Sequence, residues 1–242
     1  MIMNFHVNGQ FAAIRPLANM HSYRGTISTS QASDDGSSQR QFFSAKDFYL
    51  ASPTEVDCAS VANLVKDGRF FFAPISNAIK GGVKPFTAAA HIVFGEHDTD
   101  VTKVARLKKD NSFLGCIRFT NVKNGEAELS YFFDPNYQGQ RLGTQAVLRT
   151  IDWASDPNEG LDITKLYATV DPDNYASVKI LQKAGLKVKK GGYALPEQTD
   201  YADEGGERRP RLVMRGRIKQ DIEPALLEAR NAGFYSLQTP VL

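Results

Sequence analysis

The sequence predicts a mixed α/β fold, and three observations predict it. Residues 113–121 and 126–133 are apolar runs joined through Lys123-Asn124-Gly125, and Asn-Gly between two such runs signals an antiparallel hairpin, because both residues tolerate positive φ. Asp134-Pro135-Asn136 then turns the chain into a helical pattern with Leu142, Ala146, Val147 and Ile151 on one stripe. A further β-rich run, 165–170, repeats the strand–turn–helix step. It passes through Asp171-Pro172-Asp173-Asn174 into a helix over 175–184, which stops at Gly185.

The composition fits that fold class. The chain has 242 residues, with 29 Lys and Arg against 27 Asp and Glu, a net charge of +2, 42% apolar and 23% charged residues. Such a profile is ordinary for a soluble globular protein of one large or two small domains. Two cysteines, Cys58 and Cys116, make no disulfide framework, so a reducing, cytoplasmic location is expected. No apolar run approaches the roughly 20 residues that span a bilayer, so no membrane partner is expected. A charge near zero leaves no electrostatic footprint for nucleic acid. A cytosolic enzyme or a binding domain remains.

The other elements follow in chain order. Residues 1–33 contain no acid, and 22–40 are rich in Ser, Gly, Gln and Thr, so residues 1–44 read as a flexible or partly ordered arm, the start over 5–17 being able to pair as a strand with the body. An acid-free, Ser-rich start also fits a mitochondrial transit peptide. Only Arg15 and Arg24 are positive there, however, and Pro16 and Gly25 interrupt a helix, which makes this the lesser alternative. A folded domain is expected over 45–218. It opens with a strand at 48–51, followed by a helix after Thr54 and Asp57 carrying Val56, Val61 and Leu64. A second helix is expected over 72–79, ending at Gly81-Gly82, then a strand at 89–94 and a polar loop over 97–111. After Gly185 come strands at 186–195 and 210–218. Residues 219–242 form a terminal segment whose helix is bracketed by Pro224 and Gly233. That helix packs either on its own domain or on a second subunit, which leaves a homodimer open.

Two features carry chemistry. On the second hairpin strand Glu126, Glu128 and Ser130 share one face, and Ala127, Leu129 and Tyr131 share the other. Carboxylates on an apolar strand need water, a cleft or a partner; on an isolated hairpin the face would simply be solvated. Gln138-Gly139-Gln140-Arg141-Leu142-Gly143-Thr144 then opens a helix, where unpaired amides and the dipole favour an anion. Taken alone, Gly139 and Gly143 serve helix packing equally well. No Gly-Lys-Ser/Thr follows, and the Gly-x-Gly-x-x-Gly pattern is absent, so neither a Walker loop nor a dinucleotide fold is indicated. Four scattered histidines and two cysteines distant in sequence give no metal-ligand spacing, and no metal is expected.

Taken in order, a hairpin with Glu128, Gln-Gly-Gln-Arg-Leu-Gly at a helix start, and a strand ending in Asp-Pro-Asp-Asn before Tyr-Ala-Ser-Val-Lys-Ile-Leu-Gln-Lys-Ala-Gly resemble the GNAT superfamily of acyl-CoA-dependent N-acyltransferases. Within it they are most similar to the RimJ/RimL-type group of ribosomal-protein N-terminal acetyltransferases. The resemblance is strong over 113–186 and weaker over 48–218.

The resemblance implies a central, mostly antiparallel twisted sheet flanked by helices, with a V-shaped opening between its two middle strands. It implies acetyl-CoA as co-substrate and, as acceptor, a primary amine of a protein N-terminus or a small molecule. In the family's pyrophosphate loop, Gln138 takes the first position and Gly143 the last, while Arg141 stands where a glycine is usual. Gly139, Gln140, Leu142 and Thr144 complete the loop. An arginine there either crowds the phosphates or pairs with them, and retained binding is expected because it adds positive charge. Backbone groups at Phe132 and Phe133 match the strand that pairs with the pantetheine arm and stabilises the thioester oxyanion. Asn174 matches a residue that contacts the pantetheine, a role compatible with capping the next helix. Ser177 matches a serine proposed to protonate the leaving thiolate, and Leu181 stands where other branches carry tyrosine. Glu128 matches the strand glutamate, a general base acting through a water, with Glu126 in reserve. Lysines 179, 183, 187, 189 and 190 form a basic cluster, either a solvated surface or a contact for the adenosine 3′-phosphate, and residues 200–207 form an acidic loop that either attracts a cationic acceptor or is simply solvated. The alternative is a catalytically inactive acyl-CoA sensor or interaction module of the same fold, which Arg141 favours and Glu128 with Ser177 oppose.

Overall fold

A computed structural model describes residues 47–66, 79, 81–95, 97–194 and 210–233. The expected arm at 1–44, the helix at 72–79 apart from Ile79, and the acidic loop at 200–207 lie outside these residues. Seven strands form one sheet: β1 (Phe48–Ala51), β2 (Val101–Leu107), β3 (Phe113–Lys123), β4 (Glu126–Phe133), β5 (Lys165–Val170), β6 (Lys187–Ala194) and β7 (Arg211–Arg217). Their order is β1-β2-β3-β4-β5-β7-β6. Every neighbouring pair is antiparallel except β4 and β5, which are parallel. Parallel neighbours need a crossover, and the helix over Leu142–Ser155 supplies it.

The β3–β4 turn is the one read from Asn-Gly, with Asn124 at φ 52° and Gly125 at φ 70°. Between β4 and β5 only Glu126↔Lys165, Ala127↔Leu166 and Glu128↔Tyr167 are paired. Beyond that rung the two strands part, and the gap between the fourth and fifth of seven strands is the expected V-shaped opening.

Helices cover both faces, and strand alternation assigns each residue to one of them. Helices α1 (Glu55–Lys66) and α2 (Pro85–Phe94) share a core with Val104, Cys116 and Phe132. Helices α3 (Leu142–Ser155), α4 (Tyr175–Lys183) and α5 (Glu223–Asn231) share the other with Ala105, Ile117, Leu129, Tyr131 and Phe133. The N-terminus of α1 is tied to the sheet by charge. Asp57 Oδ2 accepts from Thr54 N (2.7 Å) and Thr54 Oγ1 (2.9 Å), while Asp57 Oδ1 lies 2.6 Å from Arg106 Nη2 on β2. At the other end of the chain, α5 lies on its own domain. Leu226 and Ala229 join the α3–α4 core, and Arg230 Nε donates to Asp152 Oδ2 of α3 at 2.9 Å.

Two elements differ from the sequence reading. Residues 89–94 are not a strand but the end of α2, which starts at Pro85 and buries Ala88, Ala89, Ile92 and Val93. A short apolar run fits a buried helix as well as a strand, and Pro85 in the first turn was the deciding sign. The expected loop at 97–111 contains β2. Lys103 and Arg106 contribute to the polarity of that stretch, yet both are buried. Arg106 pairs with Asp57, and the Lys103 ammonium sits 4.5 Å from the Trp153 ring centroid.

Candidate active site

The opening between β4 and β5 gathers the expected catalytic residues. Glu128 stands on the last paired rung and is only 6% exposed. The solvated face expected of an isolated hairpin is therefore absent: Glu128 and Ser130 are both buried, on the side of the sheet where Phe132 packs with α1 and α2. A buried carboxylate needs donors, and Thr169 Oγ1 on β5 provides one to Glu128 Oε1 at 3.3 Å. Thr169 lies two residues past the last rung, so this side-chain bond spans the strands where main-chain pairing has stopped.

Tyr131 faces the other way and is fully buried, and burial pushes its phenol well above the usual range. Its hydroxyl donates to the Ser177 carbonyl at 3.2 Å, tying β4 to the first turn of α4. Asn174 caps that helix, its Oδ1 accepting from Ser177 N at 3.2 Å. Ser177 is completely buried, and its Oγ has no hydrogen-bond partner among the described residues. First-turn serines often bond a nearby carbonyl; the Ser177 hydroxyl does not, and Ser130 Oγ on β4 is likewise without a partner among the described residues. Glu128 and Ser177 thus approach the gap from opposite faces of the sheet.

At the far end of β4 the loop leads into α3. Gln138 Nε2 donates to Phe133 O at 3.2 Å and Gln140 Nε2 to Asn136 O at 3.1 Å, so both amides brace the loop. Arg141 has φ 63° and ψ −4°, the left-handed conformation glycine favours. An arginine therefore sits in the backbone shape of the glycine it replaces. Helix α3 has no side-chain cap and no acid in its first turn, so its leading amides face outward beside an exposed guanidinium. The two loop glycines divide their roles. Gly139 (φ 75°) has no atom within 4 Å of where a Cβ would lie, which leaves room for a ligand. A Cβ on Gly143 would come within 3.1 Å of the Phe133 ring, so that glycine serves packing.

Leu142 is a core residue, Thr144 is half-buried, and the rings of Phe132 and Phe133 belong to opposite cores. Only the backbone of the two phenylalanines is left for the gap. Among the remaining residues, Lys187 pairs with Asp221 (2.8 Å), and His91 lies on α2 rather than a strand. Cys58 and Cys116 are buried in one core, and burial pushes the Cys58 thiol up to about 12, which makes it inert at neutral pH. Sequence reasoning missed Thr169, Tyr167 and Arg215, which line the same side of the sheet as Glu128. For Tyr167 and Thr169 the available signal was their alternation with the buried Leu166, Ala168 and Val170 on β5.

The sequence pattern described as "Acetyltransferase (GNAT) domain" matches residues 48–187. The chain belongs to the GNAT acetyltransferase family. Among curated proteins, an uncharacterized N-acetyltransferase p20 of Bacillus licheniformis is 30% identical over 87 residues, 33% of this chain and 47% of its own. The aspartate/glutamate leucyltransferase of Saccharophagus degradans is 42% identical over 55 residues, 22% of this chain and 23% of its own. The chain therefore spans less than half the length of either curated relative. Among solved structures, Mycobacterium smegmatis RimJ in complex with CoA-disulfide superposes with TM-score 0.56 at 18% identity. It covers 77% of this chain and 93% of its own, a likeness of fold.

Proposed function

We propose that this GNAT protein transfers an acetyl group from acetyl-CoA to a primary amine, of a protein N-terminus or a small molecule, by direct attack on the thioester. One observation carries the reading. The sheet opens immediately past Glu128, and a carboxylate and an uncommitted serine hydroxyl flank the gap from opposite faces. The α3 N-terminus fits the coenzyme's phosphates: it has open space at Gly139, no acid in the first turn and Arg141 beside it. With its phosphates there and its thioester in the gap, the coenzyme supplies the activated acetyl group.

The chain's own residues would then act in turn. Glu128, held by Thr169, takes a proton from the acceptor ammonium through a water on the α1–α2 side. An α-amine, with a pKa of about 7.7–8.0, needs little help, and a lysine ε-amine at about 10.4 needs more. Main-chain donors of the parted end of β4 would meet the negative charge that develops on the thioester oxygen. Ser177 Oγ, on the opposite face, donates a proton to the departing thiolate and regains one, relayed through water, from the nitrogen as it becomes the amide. Base and acid on opposite faces let the amine enter from one side while the thiol leaves on the other.

The test is CoA thiol release from acetyl-CoA with a panel of amines and N-terminal peptides. Glu128→Gln is expected to lower kcat about 10²- to 10⁴-fold, the range of a positioned general base, and Ser177→Ala to lower it further. Turnover that survives both changes together would sink these assignments. CoA binding without turnover across the panel would select the acyl-CoA sensor instead.

A further inference from the structure

The side of the sheet that carries Glu128 holds an ordered row of side chains beyond it. Strand register places Glu128 of β4 opposite Tyr167 of β5, and Tyr167 opposite Arg215 of β7. Directly paired residues point to the same side, so carboxylate, phenol and guanidinium stand side by side across three neighbouring strands. The Cα atoms of Glu128 and Arg215 are two strand spacings apart, roughly 10 Å, and the side chains close part of that distance. Glu128 reaches over β5 to Thr169, and the Arg215 guanidinium lies 5.7 Å from the Tyr167 ring centroid. Burial raises the Tyr167 phenol first, then the charge of Glu128; a hydrogen bond with the Asn121 side chain lowers it, the charge of Glu126 raises it, and Arg215, the smallest of these causes, lowers it.

Arg215 is exposed, and among the described residues its guanidinium makes no hydrogen bond and no ion pair. The next residue in the row, Lys187 of β6, is already neutralised by Asp221. Stacking on Tyr167 holds the guanidinium in place without using its in-plane donors. This cation is also remote from the expected phosphate site. The loop begins after Phe133, five residues up β4 from the Glu128 row, a separation of roughly 16 Å.

We infer that the acceptor amine carries a carboxylate a few bonds from its nitrogen, the nitrogen sitting at Glu128 and the carboxylate on Arg215 across Tyr167. The inference rests on the acetyl-transfer reading above and narrows its acceptor. An uncommitted planar fork beside a buried carboxylate recognises a zwitterion at both ends, and a bidentate carboxylate is the best partner of that fork. A free amino acid and a peptide with an acidic residue next to its N-terminus share this chemistry.

Thiol release with acetyl-CoA tests the inference on near-isosteric pairs. Alanine is compared with alaninamide, and Ala-Asp-amide with Ala-Asn-amide, the two pairs distinguishing free amino acid from peptide. The acid of at least one pair is expected to show about tenfold higher kcat/KM than its amide, expressed mainly in KM, as one oriented charge pair would give. Arg215→Gln should bring that ratio towards one and Arg215→Glu below one; melting curves of the variants check that the exposed position leaves the fold intact. An acid-to-amide ratio of one in the unaltered protein with measurable turnover overturns the inference and leaves acetyl transfer standing. A preference that persists in Arg215→Gln overturns it as well. Failure of every amine, including those without a carboxylate, overturns both readings.

Discussion

Arg141 combines a stability cost with a charge that suits the coenzyme. A side chain in the left-handed region costs roughly 1–2 kcal/mol relative to glycine, and Arg141 holds φ 63°. Arg141→Gly should relieve that cost, partly offset by the added freedom of the unfolded chain. The net gain is about 1 kcal/mol, seen as a melting temperature some 2–4 °C higher. The same change removes a guanidinium from the α3 N-terminus, so CoA affinity by calorimetry should fall about tenfold. Stability and affinity moving in opposite directions would identify a residue that pairs with phosphate. A rise in both would mean that the arginine only crowds the loop. Conformations of this kind gather at functional sites, where binding compensates for them.

At the scale of elements, β2 and α1 form one electrostatic unit. Asp57 is fully buried, and it depends on Arg106 and on the two Thr54 donors. Removing one member of a buried pair leaves an uncompensated charge and costs about 3–5 kcal/mol. Arg106→Leu should lower stability to urea by that order, and Asp57→Asn in the same chain should recover much of it. This network also explains what the sequence concealed. The residues that made 97–111 look like a loop, Lys103 and Arg106, are buried because an aromatic ring and an aspartate meet them from distant parts of the chain. Local pattern carries no information about such partners. Where signals were local, the reading was sharp: Asn124-Gly125, Asn174 as a cap, Gly185 at φ 86° and Gly233 at φ 69° mark turns and helix ends where the residues implied.

For the whole molecule, the architecture was legible through motif order, and part of the site with it. Strand–turn–helix repeats placed the loop at Arg141 and the Asn174–Ser177 turn, and both lie where chain order suggested. The burial of Glu128 was not legible, because it exists only in the folded sheet, where Thr169 meets the carboxylate from across the gap. The row running from Glu128 to Arg215 was likewise hidden, since it joins residues 87 positions apart in a register that exists only in the folded sheet.

That sheet is two leaves on a short spine. Strands β1 to β4 form one antiparallel leaf and β5, β7 and β6 the other, and three rungs join them. A chain of amides laid in the gap would work as a staple, and pantetheine is such a chain. Coenzyme binding should therefore be visible as mechanics. In hydrogen-exchange mass spectrometry, CoA should slow the amides of 129–133 and 168–170 more than those of β1, the outermost strand of the first leaf. Equal protection across both leaves would mean that the ligand sits elsewhere and leaves the spine to carry the strain alone.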